Sequence, residues 1–339
     1  MGWNLSVPPL TFRSSEATIR HIRSTFPKKK ELVSTENQEQ KALELELWDR
    51  ISTTTGADRA ATFEELSHIS YHRDEWKECL SLVECAIEIY TELGKDLYKD
   101  DLVHVYEGAA HCLRHLERWG EAAQMYQEIA DLEHDTNYAN FVCATRHLAG
   151  NWFSAGAYEK SLAGHQIALT ALDPDANDFT IGIDTLNIGM CFSELKRLKE
   201  AIDCYLEARE LFKKDKNPTY VNWCDKHLAE SYIEILNGPE AKFHAKHFFN
   251  FSKVVENSTM EGHACYSLGV ALRLSGEFEE SVSHLTRALE LMTCEEDKDW
   301  KAIVGANREL AKALTENGRD VEAAEILARI VTIEETLAD

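Results

Sequence analysis

In six places along the chain a small residue follows a leucine, isoleucine or alanine, and a bulky apolar residue returns three positions later. These are Ala109-Ala110-x-x-Leu113, Leu148-Ala149-x-x-Trp152, Ile188-Gly189-x-x-Phe192, Leu228-Ala229-x-x-Tyr232, Leu268-Gly269-x-x-Leu272 and Leu310-Ala311-x-x-Leu314. A weaker seventh copy begins at Leu66-Ser67 and continues through Trp76, Cys79 and Ala86. The small residues at 67, 110, 149, 189, 229, 269 and 311 are spaced by 43, 39, 40, 40, 40 and 42 positions. So even a period constrains the fold more than any composition does. Each period must be one unit that covers the apolar face of the next.

The period from Gly262 to Leu291 shows what the unit is. Leu268, Leu272, Phe278, Leu285 and Ala288 recur at helical spacing on either side of Ser275-Gly276-Glu277, which reads as two short amphipathic helices and a turn. Gly276 can take a positive φ and close the first helix, and Gly269 allows a close approach between the two. The spacing of Leu-Gly, aromatic and Ala positions resembles the tetratricopeptide repeat, in the long form found in kinesin light chains and Rap-type peptide receptors. That resemblance implies an all-α fold, a right-handed α-solenoid of about seven helix pairs. Repeats are expected near 60, 103, 142, 182, 222, 262 and 304, within an array over 60–339.

An N-terminal helical extension precedes it. Residues 1–30 hold Arg13, Arg20, Arg23 and Lys28 to Lys30 against the single acid Glu16. Pro8-Pro9 keeps the start extended, and Ser14 or Ser15 can cap a short helix ending near Phe26-Pro27. Residues 31–59 read as a capping helix with Leu43, Leu47, Trp48 and Ile51 on its apolar side, and the last helix should close the array with a charged surface through Glu334-Glu335. Met-Gly-Trp-Asn-Leu-Ser fits the loose myristoylation pattern, although Trp3 suits it badly.

A net charge of −23 argues against binding nucleic acid or an anionic membrane, and no apolar run reaches membrane length. There is no charged leader with an apolar core, and the nine cysteines form no C-x-x-C pair. Reduced thiols and a cytoplasmic location are therefore expected.

None of the strong catalytic signatures occurs: no Walker A loop, no G-x-G-x-x-G, no G-x-S-x-G, no H-E-x-x-H. The pairs His68/His72 and His111/His115 each place two imidazoles on one helical face, half of a zinc site without a third ligand. No catalytic residue, metal or cofactor is assigned, although a metal-dependent enzyme built on these pairs is the remotest alternative. The resemblance implies instead that the first helix of each pair lines a concave groove. Its lining positions hold His68, Tyr71 and His72; His104, Glu107, His111, Arg114 and His115; Arg146, His147 and Phe153; Asn187 and Met190; Trp223, Lys226, His227 and Glu230; His263, Tyr266 and Arg273; Arg308 and Lys312. Eight of the fourteen histidines fall there. Asn187 is similar to the asparagine with which kinesin light chains and Rap-type receptors hold ligand backbone.

Donors along a groove can hold carbonyls and carboxylates, and aromatics supply apolar anchors. The expectation is a non-enzymatic adaptor for a protein or peptide partner, holding an extended or helical acidic segment more tightly as pH falls toward 6. A peptide-responsive regulatory receptor that switches binding to a second protein is the alternative.

Overall fold

The computed structural model describes residues 35–173, 175–294 and 298–338. Among them the chain forms fifteen α-helices and no strand, the all-α solenoid expected. The basic arm over 1–30 lies outside the described residues. Helix α1 (Thr35–Thr53) precedes seven pairs: α2 (Gly56–His72) with α3 (Trp76–Leu93), α4 (Lys99–His115) with α5 (Trp119–Glu133), α6 (Tyr138–Ser154) with α7 (Tyr158–Thr170), α8 (Asp178–Glu194) with α9 (Leu198–Lys214), α10 (Pro218–Glu234) with α11 (Gly238–Val255), α12 (Ser258–Leu274) with α13 (Phe278–Thr293), and α14 (Trp300–Glu316) with α15 (Asp320–Ala338). The first helix of every pair is 17 residues long. The intervals between their first residues repeat those between the small residues, so the period in the sequence is the period of the fold.

The helices divide into two compact units, Met1–Leu172 and Asp173–Asp339. In the first, each helix from α1 to α6 packs on the next; in the second the same holds from α8 to α14, with α10 also touching α12 and α12 touching α14. Phe63, Leu66, Leu82, Ile87, Leu102 and Met125 are fully buried in the first unit, and Tyr205, Phe212, Leu228, Leu285 and Ile303 in the second. Such burial of apolar surface is the main drive to fold, at ~25 cal/mol per Å².

Two devices make each pair a hairpin. Inside the pair, the small residues let helices meet: a Cβ on Gly189 would stand 2.7 Å from Tyr205 Cε1, and one on Gly269 would stand 2.7 Å from Leu285 Cγ. At the turn, the bulky residue three places further on accepts a backbone bond from the N–H five residues later. Trp152, Phe192, Tyr232, Leu272 and Leu314 accept in this way from Ala157, Arg197, Asn237, Glu277 and Arg319 at 2.8–2.9 Å. This closure needs a left-handed residue, and it is found at Asp74, Glu117, Gly156, Lys196, Leu236, Gly276 and Gly318, with φ between 57° and 80°. Glycine fills three of those seven positions. Gly238 instead opens α11, where a Cβ would be 2.6 Å from the Leu274 carbonyl carbon.

The next pair restarts on a side-chain cap. Asn137, Asn177, Asn217, Asn257 and Asp299 accept from the backbone N–H three residues on, satisfying one of the otherwise orphaned donors of a helix start. All nine cysteines are free thiols, with Cys112, Cys191 and Cys265 buried and Cys204 half-buried in helix packing. On α15 Glu322, Glu325, Glu334 and Glu335 are exposed. Val321, Leu327 and Val331 of the same helix are 75%, 51% and 53% exposed. No described helix is long and apolar enough to cross a membrane.

Candidate functional site

Every residue assigned to the groove sits on the first helix of a pair, and each is exposed or half-buried, whereas the small residues interleaved with them are buried. In the first unit the row is a chain of ring contacts. His68 on α2 and His104 on α4 meet edge to face with centroids 6.1 Å apart. Tyr71 lies 5.2 Å from His111, its hydroxyl 3.4 Å from His111 Nε2, and His72 is its edge-on neighbour at 5.7 Å. His111 and His115 are 4.8 Å apart. Trp76, at the start of α3, lies flat on His115, 3.9 Å away and tilted by 4°. Further along, Arg114 hydrogen-bonds Tyr126, His147 stacks on the Tyr126 ring at 4.9 Å, and Phe153 meets Tyr158 at 5.3 Å. Arg146, half-buried on α6, completes this part of the row.

Burial and neighbouring charge disfavour the charged form of three of these imidazoles. Burial, then His104 and His72, hold the His68 pKa below the ordinary imidazole value. Burial, His115 and Arg114 do the same to His111, and burial with Arg114 to His147. His68, His111 and His147 are therefore biased toward the neutral imidazole, and Arg114 and Arg146 are the fixed cations of the row in the first unit.

The second unit is built differently. Asn187 on α8 is half-buried and makes no side-chain hydrogen bond among the described residues. On α10, Trp223 is 44% exposed and carries Lys226 Nζ 5.4 Å from its ring centre. His227 stacks on Tyr205 at 5.2 Å and reaches Glu230 at 3.4 Å, with Lys226 3.7 Å from the same carboxylate. Burial acts to raise the Glu230 pKa, but His227, Lys226 and His263 together bring it below the ordinary value. Arg273 on α12 pairs with Glu309 at 2.9 Å and Glu316 at 3.1 Å, while half-buried Tyr266 packs into the adjoining core. Lys312 pairs with Glu309 at 2.6 Å, and Arg308 with Glu334 at 2.7 Å. Carboxylates of the same helix answer Lys226 and Lys312, one of the following helix answers Arg308, and two from the first helix of the next pair answer Arg273. Sequence spacing missed Glu309, Glu316 and Glu334 since they sit off the row, and missed Trp76 and Tyr126 since both belong to second helices.

The histidine pairs gain no third ligand. Among the described residues no three His, Cys, Asp or Glu side chains gather as a metal-holding group. One charged cluster is buried away from the row: Asp225 Oδ1 accepts from Arg209 Nε at 2.8 Å and stands 2.6 Å from His244 Nδ1, while Oδ2 accepts from Arg209 Nη2 at 3.2 Å. Asp225 is 1% exposed and His244 4%. The positions corresponding to Asp225 in the other pairs hold Phe63, Tyr106, Thr145, Thr185, Cys265 and Asn307, none of them charged. The cluster ties α9, α10 and α11 together.

A sequence model of the soluble NSF attachment protein family matches residues 95–268, just over half of the chain. The chain belongs to the soluble NSF attachment protein family. A tetratricopeptide-repeat model matches residues 264–299 of this family member, within the periods read from its sequence. No curated protein sequence matches it significantly. Its fold is similar to the apo form of RapI, at 14% identity over 82% of this chain and 98% of that one, with a TM-score of 0.55. It is similar also to the apo form of the quorum sensor NprR from B. thuringiensis, at 14% identity, 94% and 86% coverage and a TM-score of 0.56. A third relative in fold is a signal-transduction ATPase with a tetratricopeptide-repeat sensor from Pyrococcus horikoshii, 14% identical over 95% of this chain, with a TM-score of 0.63. The chain spans 52% of that protein.

Proposed function

We propose that this protein is a helical-repeat adaptor that holds an extended or helical, acidic segment of a partner protein against the row on its first helices. The observation that carries this reading is the sorting of side chains along those helices. Imidazole, indole, phenol and amide groups lie at the surface in register, while the small residues between them are buried. Aromatic anchors with hydrogen-bonding rims suit segment recognition. The family description, an attachment protein, supports a protein partner. No catalytic role is part of the reading.

The test is partner capture with wild type, Tyr71→Ala/His115→Ala and Trp223→Ala/His263→Ala, each first shown to melt like wild type. Partners lost from either double variant support the reading. Partners retained by both remove it and move binding to the second helices or to residues 1–34.

A peptide-responsive regulatory receptor is the second reading, supported by the division into two compact units that each carry part of the row. Compaction in small-angle scattering on adding a bound peptide would favour it over a passive scaffold.

A further inference from the structure

Resting on the docking reading above, we propose that the acidic segment is received by the α2–α4 imidazole strip of the first unit rather than by the second-unit face, and that docking takes up protons. The two faces differ in what their charges already do. In the second unit Lys226, Arg273, Arg308 and Lys312 each pair with a glutamate of the same unit. An incoming carboxylate there must displace one already present, for little net gain. In the first unit His68, His104, His111 and His115 lie 4.8–6.1 Å from an imidazole neighbour, and none of the four forms an ion pair among the described residues.

The surroundings set the sign of the coupling. Glu65 lies beside His68, and Arg114 beside His111. From α3, the Tyr90 hydroxyl donates to Glu64 at 2.7 Å, and the Glu64 carboxyl, near His104, is pushed up chiefly by burial. Arg73, next to His72, is tied to Glu44 of α1 at 3.0 Å. Arg114 reaches Tyr126 of α5, and Glu107 of α4 lies near that ring. Carboxylates thus outnumber cations around His68 and His104, whereas the charged groups beside His111 are His115 and Arg114, and burial with neighbouring positive charge holds His68 and His111 below the ordinary imidazole value. A partner's carboxylates supply the missing counter-charge, so imidazolium becomes favourable as they arrive. Groups whose pKa rises on binding make affinity greatest below their free pKa, and that affinity fades as pH climbs through the bound one. Two coupled imidazoles account for about a hundredfold change across such a window.

The probes are a short fluorescein-labelled Glu/Ala helical peptide and its Gln/Ala counterpart, titrated by anisotropy between pH 7.5 and 5.5. Calorimetry of wild type in buffers of different ionisation enthalpy counts the protons. Expected are at least tenfold tighter binding of the Glu peptide at pH 5.5, uptake of one or more protons, and a change in Trp76 emission. His111→Gln/His115→Gln should flatten the pH dependence, while His247→Gln, on α11, should leave it unchanged. Glu-peptide binding without proton uptake, or binding lost in Trp223→Ala/His263→Gln but kept in His111→Gln/His115→Gln, overturns the strip and leaves groove docking standing. Binding of neither the peptide nor any captured partner at the row removes the docking reading together with the strip.

Discussion

Gly269 faces Leu285 across the α12–α13 hairpin so closely that any side chain at 269 would begin 2.7 Å from Leu285 Cγ and 3.2 Å from the Leu285 backbone nitrogen. The Ser281 hydroxyl donates to the Gly269 carbonyl at 2.7 Å in the same contact. Gly269→Leu should therefore overpack the pair and cost ~1–3 kcal/mol, read as a lower urea midpoint. Gly305 is the internal control. It too lies inside a first helix, but its Cβ would meet nothing within 4 Å, so Gly305→Ala should stabilise by about 1 kcal/mol through helix propensity. Equal effects from the two substitutions would contradict the close approach.

Leu236 is 73% exposed and holds a φ of 59°, a conformation that a Cβ makes unfavourable by ~1–2 kcal/mol. Leu236→Gly keeps the turn and removes that strain. An increase of about 1 kcal/mol in unfolding free energy is expected, with a decrease indicating that the leucine side chain packs in solution.

Asp225 is buried between Arg209 and His244. Asp225→Ala leaves two buried cationic or donor groups without their acceptor and should cost ~3–5 kcal/mol. The triple replacement Arg209→Met/Asp225→Leu/His244→Leu removes the charges together and should melt closer to wild type than Asp225→Ala alone does. A triple variant less stable than the single one would show that the ionic contacts outweigh their desolvation.

Acid should weaken the first unit through its crowded histidines. His68, His111 and His147 have folded pKa values below the ordinary one, and the unfolded value is ~6.5. Their contribution is thus present above ~6.5 and is lost as pH falls through the folded values. Thermal midpoints of wild type should fall more steeply between pH 7 and 5 than those of His68→Gln/His111→Gln/His147→Gln. Parallel profiles would remove the histidine contribution.

The hairpins were legible because the residues that build them repeat. A small residue at 189 or 269 and a bulky one three places on mark where two helices meet and where the first one stops. Turn conformation was legible only where glycine marks it, at 156, 276 and 318. Asp74, Glu117, Lys196 and Leu236 reach the same φ because the backbone bond that closes the hairpin outweighs a modest local strain. The caps at Asn137, Asn177, Asn217, Asn257 and Asp299 were readable in principle, since they share the period, although an asparagine in a polar turn has several uses.

The candidate site was legible in position and much less so in charge. Spacing along one helix identifies the surface row, yet whether Arg273 is free depends on Glu309 and Glu316 about one repeat ahead. Trp76 joined the site through tertiary stacking on His115. Asp225 and His244, separated by a turn and two half-helices, show no shared motif that would announce their contact.

Each hairpin carries its own stop, the left-handed residue after the first helix, and the pairs beginning at Tyr138, Asp178, Pro218, Ser258 and Trp300 carry their own start, the capping Asn or Asp. Local instructions of this kind make chain length a modular quantity: one phrase of about forty residues can be gained or lost at equivalent points while the grammar of its neighbours stays intact. Evolution can then lengthen or shorten such a protein in whole steps, tuning its reach separately from the side chains that line it.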